Sequence, residues 1–209
     1  MDWMEHLEPL FQHYGKRKHP LDYQNRYQLM AMVVLSAQDS DKHINELSKE
    51  FFQAYPSIQS LAKVESADLQ RFIGSVRNFQ NKSKWLVSIA QAVQSDDKIP
   101  ETLDALTELP GIGRKSANVI IRESGGKAEG IIVDLHVLRV APRLGIAVGD
   151  KPEKIEKQLM GVIPQDRWNE AGMAFSFLGR EICRPTNPKC AECMMNPVCK
   201  YYSEEVKQV

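Results

Sequence analysis

Apolar residues recur along most of this chain at helical spacing. "YQLMAMVVLSAQ" keeps one apolar face continuous, "INELSKEFFQAY" sets Ile44, Leu47, Phe51 and Phe52 three to four residues apart or side by side, and "KWLVSIAQAVQ" does the same with Trp85, Ile89, Ala92 and Val93. The breaks carry stop chemistry: Pro56 before "SIQSLAKV", "SDDKIPET" around Pro100, "SGGKAEG" over 124–130 and "VGDKPEK" over 148–154. Only "GIIVDLHV" could pass for a strand, and it is short. The pattern therefore predicts an all-α chain of about ten helices, without repeats, whose best candidate boundary is the glycine pair near residue 125. Trp3, Trp85 and Trp168 fall in amphipathic stretches and are expected in the core.

Composition narrows the class. The 209 residues, 43% hydrophobic and 26% charged, are ordinary globular material and can bury a core. Lys+Arg and Asp+Glu are both 27, so any surface for nucleic acid must be local. No run of about 18 apolar residues occurs and the amino end mixes acids with cations, which predicts no membrane partner and a cytoplasmic location.

Two stretches carry chemistry. In "LPGIGRKSANVI" Pro110 stops one helix, Gly111 and Gly113 flank Ile112 with positive φ expected in the reversal, and a second helix starts near Arg114 and Lys115. Backbone N–H groups bared by the glycines, at a helix start, suit a phosphate oxygen. Ala117, Ile120 and Ile121 share one face of that second helix, and Lys115 points nearly opposite. An ordinary αα-hairpin with a solvated lysine is the plainer alternative, but the coincidence of reversal, exposed amides and cations favours DNA even on these residues alone. The second stretch holds all the cysteines: Cys183, Cys190, Cys193 and Cys199, separated by six, two and five residues. Such a cluster suits metal ligation better than disulfides, and its spacing admits either tetrahedral zinc or a [4Fe–4S] group.

"LPGIGRKSANVI", "VDLHVLRV" with its aspartate nineteen residues after Lys115, the four-cysteine spacing and "LSAQDSD" near the front together resemble endonuclease III, the iron–sulfur DNA glycosylase/lyase of the helix-hairpin-helix superfamily. The resemblance implies an all-helical DNA glycosylase fold of two lobes with a DNA-binding cleft. One is a six-helix lobe over 20–127 containing the hairpin. The other is formed by 1–19 and 128–209 and carries the cluster. It implies a [4Fe–4S] cluster in place of zinc, double-stranded DNA with a damaged base or abasic site as partner, and a nucleoid-associated monomer. Residue by residue it makes Lys115 the Schiff-base amine, Asp134 the catalytic carboxylate and Gln38 the gap-filling side chain. It also makes Arg184 and Lys189, between the first two cysteines, candidates for phosphate contact, and it places Asp39 and Asp41 near a base pocket.

The implied chemistry sets physical demands. A free lysine has a pKa of ~10.4, so about one in 2,500 is neutral at pH 7, and the site must depress that value or pass the proton on. The helix-start dipole and the neighbouring Arg114 push that way. A carboxylate at Asp134 would stabilise an oxocarbenium-like transition state, and its local reading is an N-cap accepting N–H two or three residues on; the two roles are compatible. Extrusion of the base needs side chains to fill the gap.

Three places depart from the family pattern. Leu135 stands where a small hydroxyl residue is common, Pro142 falls about eight residues into the helix begun at Asp134 and is expected to kink or end it, and Arg77 and Asn78 replace a glycine and a large apolar residue in the second wedge loop. The polar pair raises an oxidised-purine or mismatch-type glycosylase beside removal of oxidised pyrimidines. A non-catalytic iron–sulfur DNA-binding protein and a zinc-stabilised hairpin module are the readings from other classes.

Overall fold

A computed structural model describes residues 2–206. Among them are eleven α-helices and no strand. The chain forms two compact units: His19–Gly126 is one, and the first eighteen residues with those from Lys127 onward are the other. No helix among the described residues is long and apolar enough to cross a membrane.

The contiguous unit holds α2 (Arg26–Ser36), α3 (Asp41–Ala54), α4 (Ile58–Leu61), α5 (Gln70–Ile73), α6 (Phe79–Val93), α7 (Leu103–Thr107) and α8 (Arg114–Glu123). Tyr27 and every residue from Leu29 to Leu35 are buried in α2, which is thus apolar all round; it packs against α3, α6 and α8. Asn25, Ser40, Ser57 and Thr102 start α2, α3, α4 and α7 by accepting a first-turn backbone N–H. Phe51, Phe52, Tyr55 and Phe72 meet edge-on or tilted, and buried Tyr27 donates its hydroxyl to the Tyr55 carbonyl at 2.9 Å.

In the other unit α11 (Trp168–Glu181) is buried continuously from Ala171 to Gly179 and packs against α1 (Trp3–Tyr14) and α9 (Leu135–Leu144). Two glycines allow α11 to approach α9 and the segment before it. A Cβ on Gly172 would lie 2.7 Å from the Ile132 carbonyl oxygen, and one on Gly179 would lie 2.8 Å from the His136 Cβ. The strand-like segment carries no regular secondary structure; it buries Ile131, Ile132 and Val133 but enters no sheet. Its side chains pack against helices, so apolar content alone does not make it a strand. α10 (Pro152–Val162) begins with proline in its first turn, where the missing N–H costs nothing. Pro142 ends α9 early, as expected: the helix closes two residues later, and Gly145 takes the left-handed conformation (φ 88).

The tryptophans do not lie in the core. All three are half-buried. Trp168 spends its indole N–H on the Ile163 carbonyl at 2.7 Å, and Trp85 lies against the backbone of Gly111.

Candidate functional site

The turn between α7 and α8 is built on one constraint. Gly111 has φ 80, and a Cβ there would stand 2.4 Å from Cε3 of Trp85, so both backbone and indole demand glycine. Gly113 differs from the expectation of positive φ. It is extended (φ −87, ψ 173) with nothing within 4 Å of a would-be Cβ. As the N-cap of α8 it supplies no side-chain acceptor, so the helix start has no side-chain cap, and the space in front of it is open. Ile112 is 3% exposed and its N–H goes to the Leu109 carbonyl at 3.2 Å, so its side chain belongs to the core and its amide to the turn. Arg114 and Lys115 are exposed, while Ala117 through Ile121 are buried behind them.

Asp134 begins α9 as its N-cap. Its Oδ1 accepts the backbone N–H of His136 and of Val137, each at 2.9 Å, and its Oδ2 accepts the hydroxyl of Ser176 at 2.6 Å. Ser176 is fully buried on α11 and also receives Arg180 Nε at 3.4 Å. The carboxylate is therefore fixed by three donors before any ligand arrives. Beside it Leu135 is 80% exposed, the most open of the large hydrophobic side chains in the described residues.

Gln38 lies in the loop after α2, and Arg77 and Asn78 lie in the loop before α6; all three are exposed. Gln38 (φ 61) and Asn78 (φ 59) both hold left-handed backbone, and Asn78 Oδ1 accepts Asn81 Nδ2 at 2.8 Å. Asp39 is engaged within its own unit. Its oxygens are taken by the backbone N–H of Ser40 (2.8 Å), the ring Nδ1 of His43 (2.8 Å) and the backbone N–H of Arg77 (3.1 Å). Burial works to raise its pKa, but the bonds from His43, Arg77 and Ser40 prevail and hold it below the usual carboxylate value. Lys82 is 2% exposed and donates Nζ to the carbonyls of Leu35 (2.7 Å) and Ala37 (2.6 Å); burial lowers its pKa against the opposing pull of Asp39.

The cysteine segment leaves the end of α11 with Cys183 N–H on the Leu178 carbonyl at 2.8 Å, and Lys189 N–H on the Ile182 carbonyl at 3.0 Å closes the first loop. Two arginines of α9 hold it. Arg139 donates to the carbonyls of Cys183 (3.0 Å) and Gly179 (2.9 Å), and Arg143 donates to the carbonyls of Arg184 (2.7 Å) and Pro185 (3.3 Å). Arg143 also lies 3.6 Å from Cys183 Sγ, while Cys199 Sγ is 3.5 Å from the Arg143 carbonyl oxygen. All four thiols are free and half-buried. Burial, with the neighbouring cysteines adding to it, raises the pKa of Cys190 and Cys199, and lifts Cys193 to about 11. As thiolates they need a cationic group to compensate them. No three His, Cys, Asp or Glu among the described residues form a site for a single metal ion. An all-sulfur donor set fits an iron–sulfur group. Arg184 and Lys189 project outward, the latter 3.6 Å from Glu192.

Comparison with known proteins places this geometry. Residues 31–165 match the HhH-GPD superfamily base excision DNA repair protein family. Endonuclease III of Bacillus subtilis (strain 168) is 35% identical over 183 residues, covering 86% of this chain and 83% of the relative. Endonuclease III of Synechocystis sp. is 34% identical over 181 residues, with the same two coverages. The chain belongs to the endonuclease III family. A solved structure of a trapped endonuclease III–DNA covalent intermediate, in an estranged-adenine complex, matches with a TM-score of 0.87 at 29% identity, covering 96% of this chain and 95% of that one.

Against that family background, the sequence reading missed several supporting residues. Ser176 sits in the apolar run "AGMAFSFLG", where a lone hydroxyl in a buried helix is a signal that it has a partner. Arg139 and Arg143, four apart on α9, carry no local sign of the loop they hold, whose carbonyls lie 40 to 44 residues away. Lys82 and the bond from the Arg77 N–H to Asp39 had no local signature, because these partners lie 38 to 47 residues apart in sequence.

Proposed function

We propose that this chain is a base-excision repair glycosylase with abasic-site lyase activity, acting as a monomer on duplex DNA and removing oxidised bases, chiefly pyrimidines. The observation that carries the reading is the exposed Lys115 in the first turn of a helix without a side-chain cap, in a chain this similar to one trapped covalently on DNA. The hairpin at Gly111, Gly113 and Arg114 binds a backbone phosphate through N–H groups and charge, with Ile112 anchoring the turn from inside. Arg184 and Lys189 on the cysteine loop add phosphate contacts.

In the reaction the neutral amine of Lys115 attacks the sugar C1′ as the bond to the base breaks, and the base leaves with the bonding electrons and takes up a proton. The iminium formed after ring opening acidifies the C2′ proton, and its removal expels the 3′ phosphate by β-elimination. Asp134 places fixed negative charge where the sugar becomes cationic, and its three donors hold it there. Gln38 fills the space left by the extruded nucleotide. Arg77 and Asn78 are polar where an apolar wedge would be indifferent to the orphaned base, so they read its edge; each good pair discriminates by about 1–3 kcal/mol. That polarity is the observation favouring an oxidised purine as the second substrate class. Cys183, Cys190, Cys193 and Cys199 hold a [4Fe–4S] cluster, which supplies charge compensation and rigidity to the loop bearing Arg184 and Lys189. The lobe over 20–127 presents the hairpin, and the parts 1–19 and 128–209 present Asp134 and the cluster.

The test is a panel of duplexes carrying single lesions, each against all four opposite bases, cut by wild type, Lys115→Gln and Asp134→Asn. Lys115→Gln should lose strand incision, and Asp134→Asn should bind DNA while excision falls by orders of magnitude. Incision at the wild-type rate by Lys115→Gln would refute the lysine assignment.

A further inference from the structure

Four non-glycine residues hold positive φ among the described residues, and two of them are Gln38 and Asn78. Side-chain-bearing residues adopt this conformation rarely, and it persists where neighbouring structure over-determines it. The neighbours are identifiable. Asp39 directly follows Gln38 and Arg77 directly precedes Asn78, and the Asp39 carboxylate accepts the Arg77 N–H at 3.1 Å. His43, bonded to Asp39 through Nδ1, reaches Ser75 Oγ with Nε2 at 2.9 Å, so the second loop is gripped at two points. From the first turn of α6, buried Lys82 donates to Leu35 and Ala37, the latter directly before Gln38. All of these residues lie in the contiguous unit.

The geometry points to a brace: Asp39, His43 and Lys82 are positioning residues that lock the Gln38 loop and the Asn78 loop into one rigid two-pronged element, shaped before DNA arrives. This rests on the reading of Gln38 and Asn78 as the side chains that enter the duplex. Two loops moving independently would each pay an ordering cost on insertion, whereas a pre-shaped pair enters as one body. The brace thus serves extrusion, whose cost is largest for a stacked, paired base and small for one without a partner.

Two measurements on the intact holoprotein test this. In the free protein, amide hydrogen exchange should accelerate in both 36–40 and 75–79 in Asp39→Ala and less in Asp39→Asn, which keeps one oxygen able to accept the Arg77 N–H. Unchanged exchange at 75–79 in Asp39→Ala would overturn the brace, whatever the activity. In single-turnover excision, Asp39→Ala should lose about tenfold on a lesion opposite a pairing base and less than about twofold on the same lesion opposite an abasic nucleotide, the scale of one charge-assisted hydrogen bond. Equal losses on both substrates would mean a merely structural role and would also overturn it. A wild type that excises nothing from either duplex would refute the glycosylase reading and leave the exchange result to judge the brace. Lys82→Met should repeat the pattern; if it does not fold, the two Asp39 variants decide.

Discussion

Removing the Ser176 hydroxyl isolates one of the three bonds that hold Asp134. Ser176→Ala deletes a single oxygen from a fully buried site, so it introduces no clash and leaves both backbone donors on Oδ1. The substitution loses the long 3.4 Å bond from Arg180 Nε and, the larger contribution, a 2.6 Å bond to a carboxylate; bonds of the second kind contribute about 1.5–3 kcal/mol. Part of that is common to ground and transition states and affects only stability; only the part that strengthens as the sugar gains positive charge slows the reaction. If about half is differential, about 0.75–1.5 kcal/mol, excision falls roughly three- to tenfold, since 1.4 kcal/mol is a factor of ten. Single-turnover excision at saturating enzyme should therefore slow about three- to tenfold while the Kd for lesion DNA stays within about twofold. In the Asp134→Asn background the same change should have little further effect, because the two residues act as a unit. Undiminished excision in Ser176→Ala, or a loss in Asp134→Asn equal to that in the wild type, would refute the reasoning.

The two hairpin glycines should separate stability from binding. Gly111→Ala meets both a left-handed φ and the Trp85 ring and should destabilise the fold by about 2–4 kcal/mol in urea titration; Gly113→Ala meets neither and should leave stability within about 0.5 kcal/mol while weakening DNA binding by filling the space before α8. Asp39 has its folded pKa depressed, so its contribution to stability is present above the unfolded value of about 3.9 and is lost as pH falls through the lower folded value. Urea midpoints of wild type and Asp39→Asn should thus differ at pH 7 and converge as pH falls below about 4, with His43, Arg77 and Lys82 as the titratable or cationic side chains nearest the carboxylate; a constant gap would contradict the depressed pKa.

What could be read from the sequence is what local rules govern. Helical periodicity and caps are short-range, so the helices, the stop at Pro110 and the cap at Asp134 follow from residues within a turn of each other. The same rules fail where a side chain answers to a distant partner. Trp85 looks like core from its helix and instead supports Gly111 across the fold. Asp39, Lys82, Ser176 and Arg143 carry polar groups whose use is decided by backbone atoms and side chains tens of residues away. Gly113 shows the converse limit: two glycines in one motif suggested two left-handed residues, but one answers to backbone geometry and the other to open space. The buried 131–133 segment escaped because apolar content is the same in a strand and in an irregular stretch buried among helices.

The central claim is that Lys115 forms a covalent bond to DNA. Incubation with a lesion-bearing duplex under borohydride, followed by protease digestion and mass mapping of the adduct, tests it directly, because only an imine is reducible to a stable amine. The account predicts a one-to-one protein–DNA adduct on the peptide containing Lys115, absent from Lys115→Gln. Excision and strand cleavage with no trappable adduct, or an adduct mapped to another residue, would contradict it.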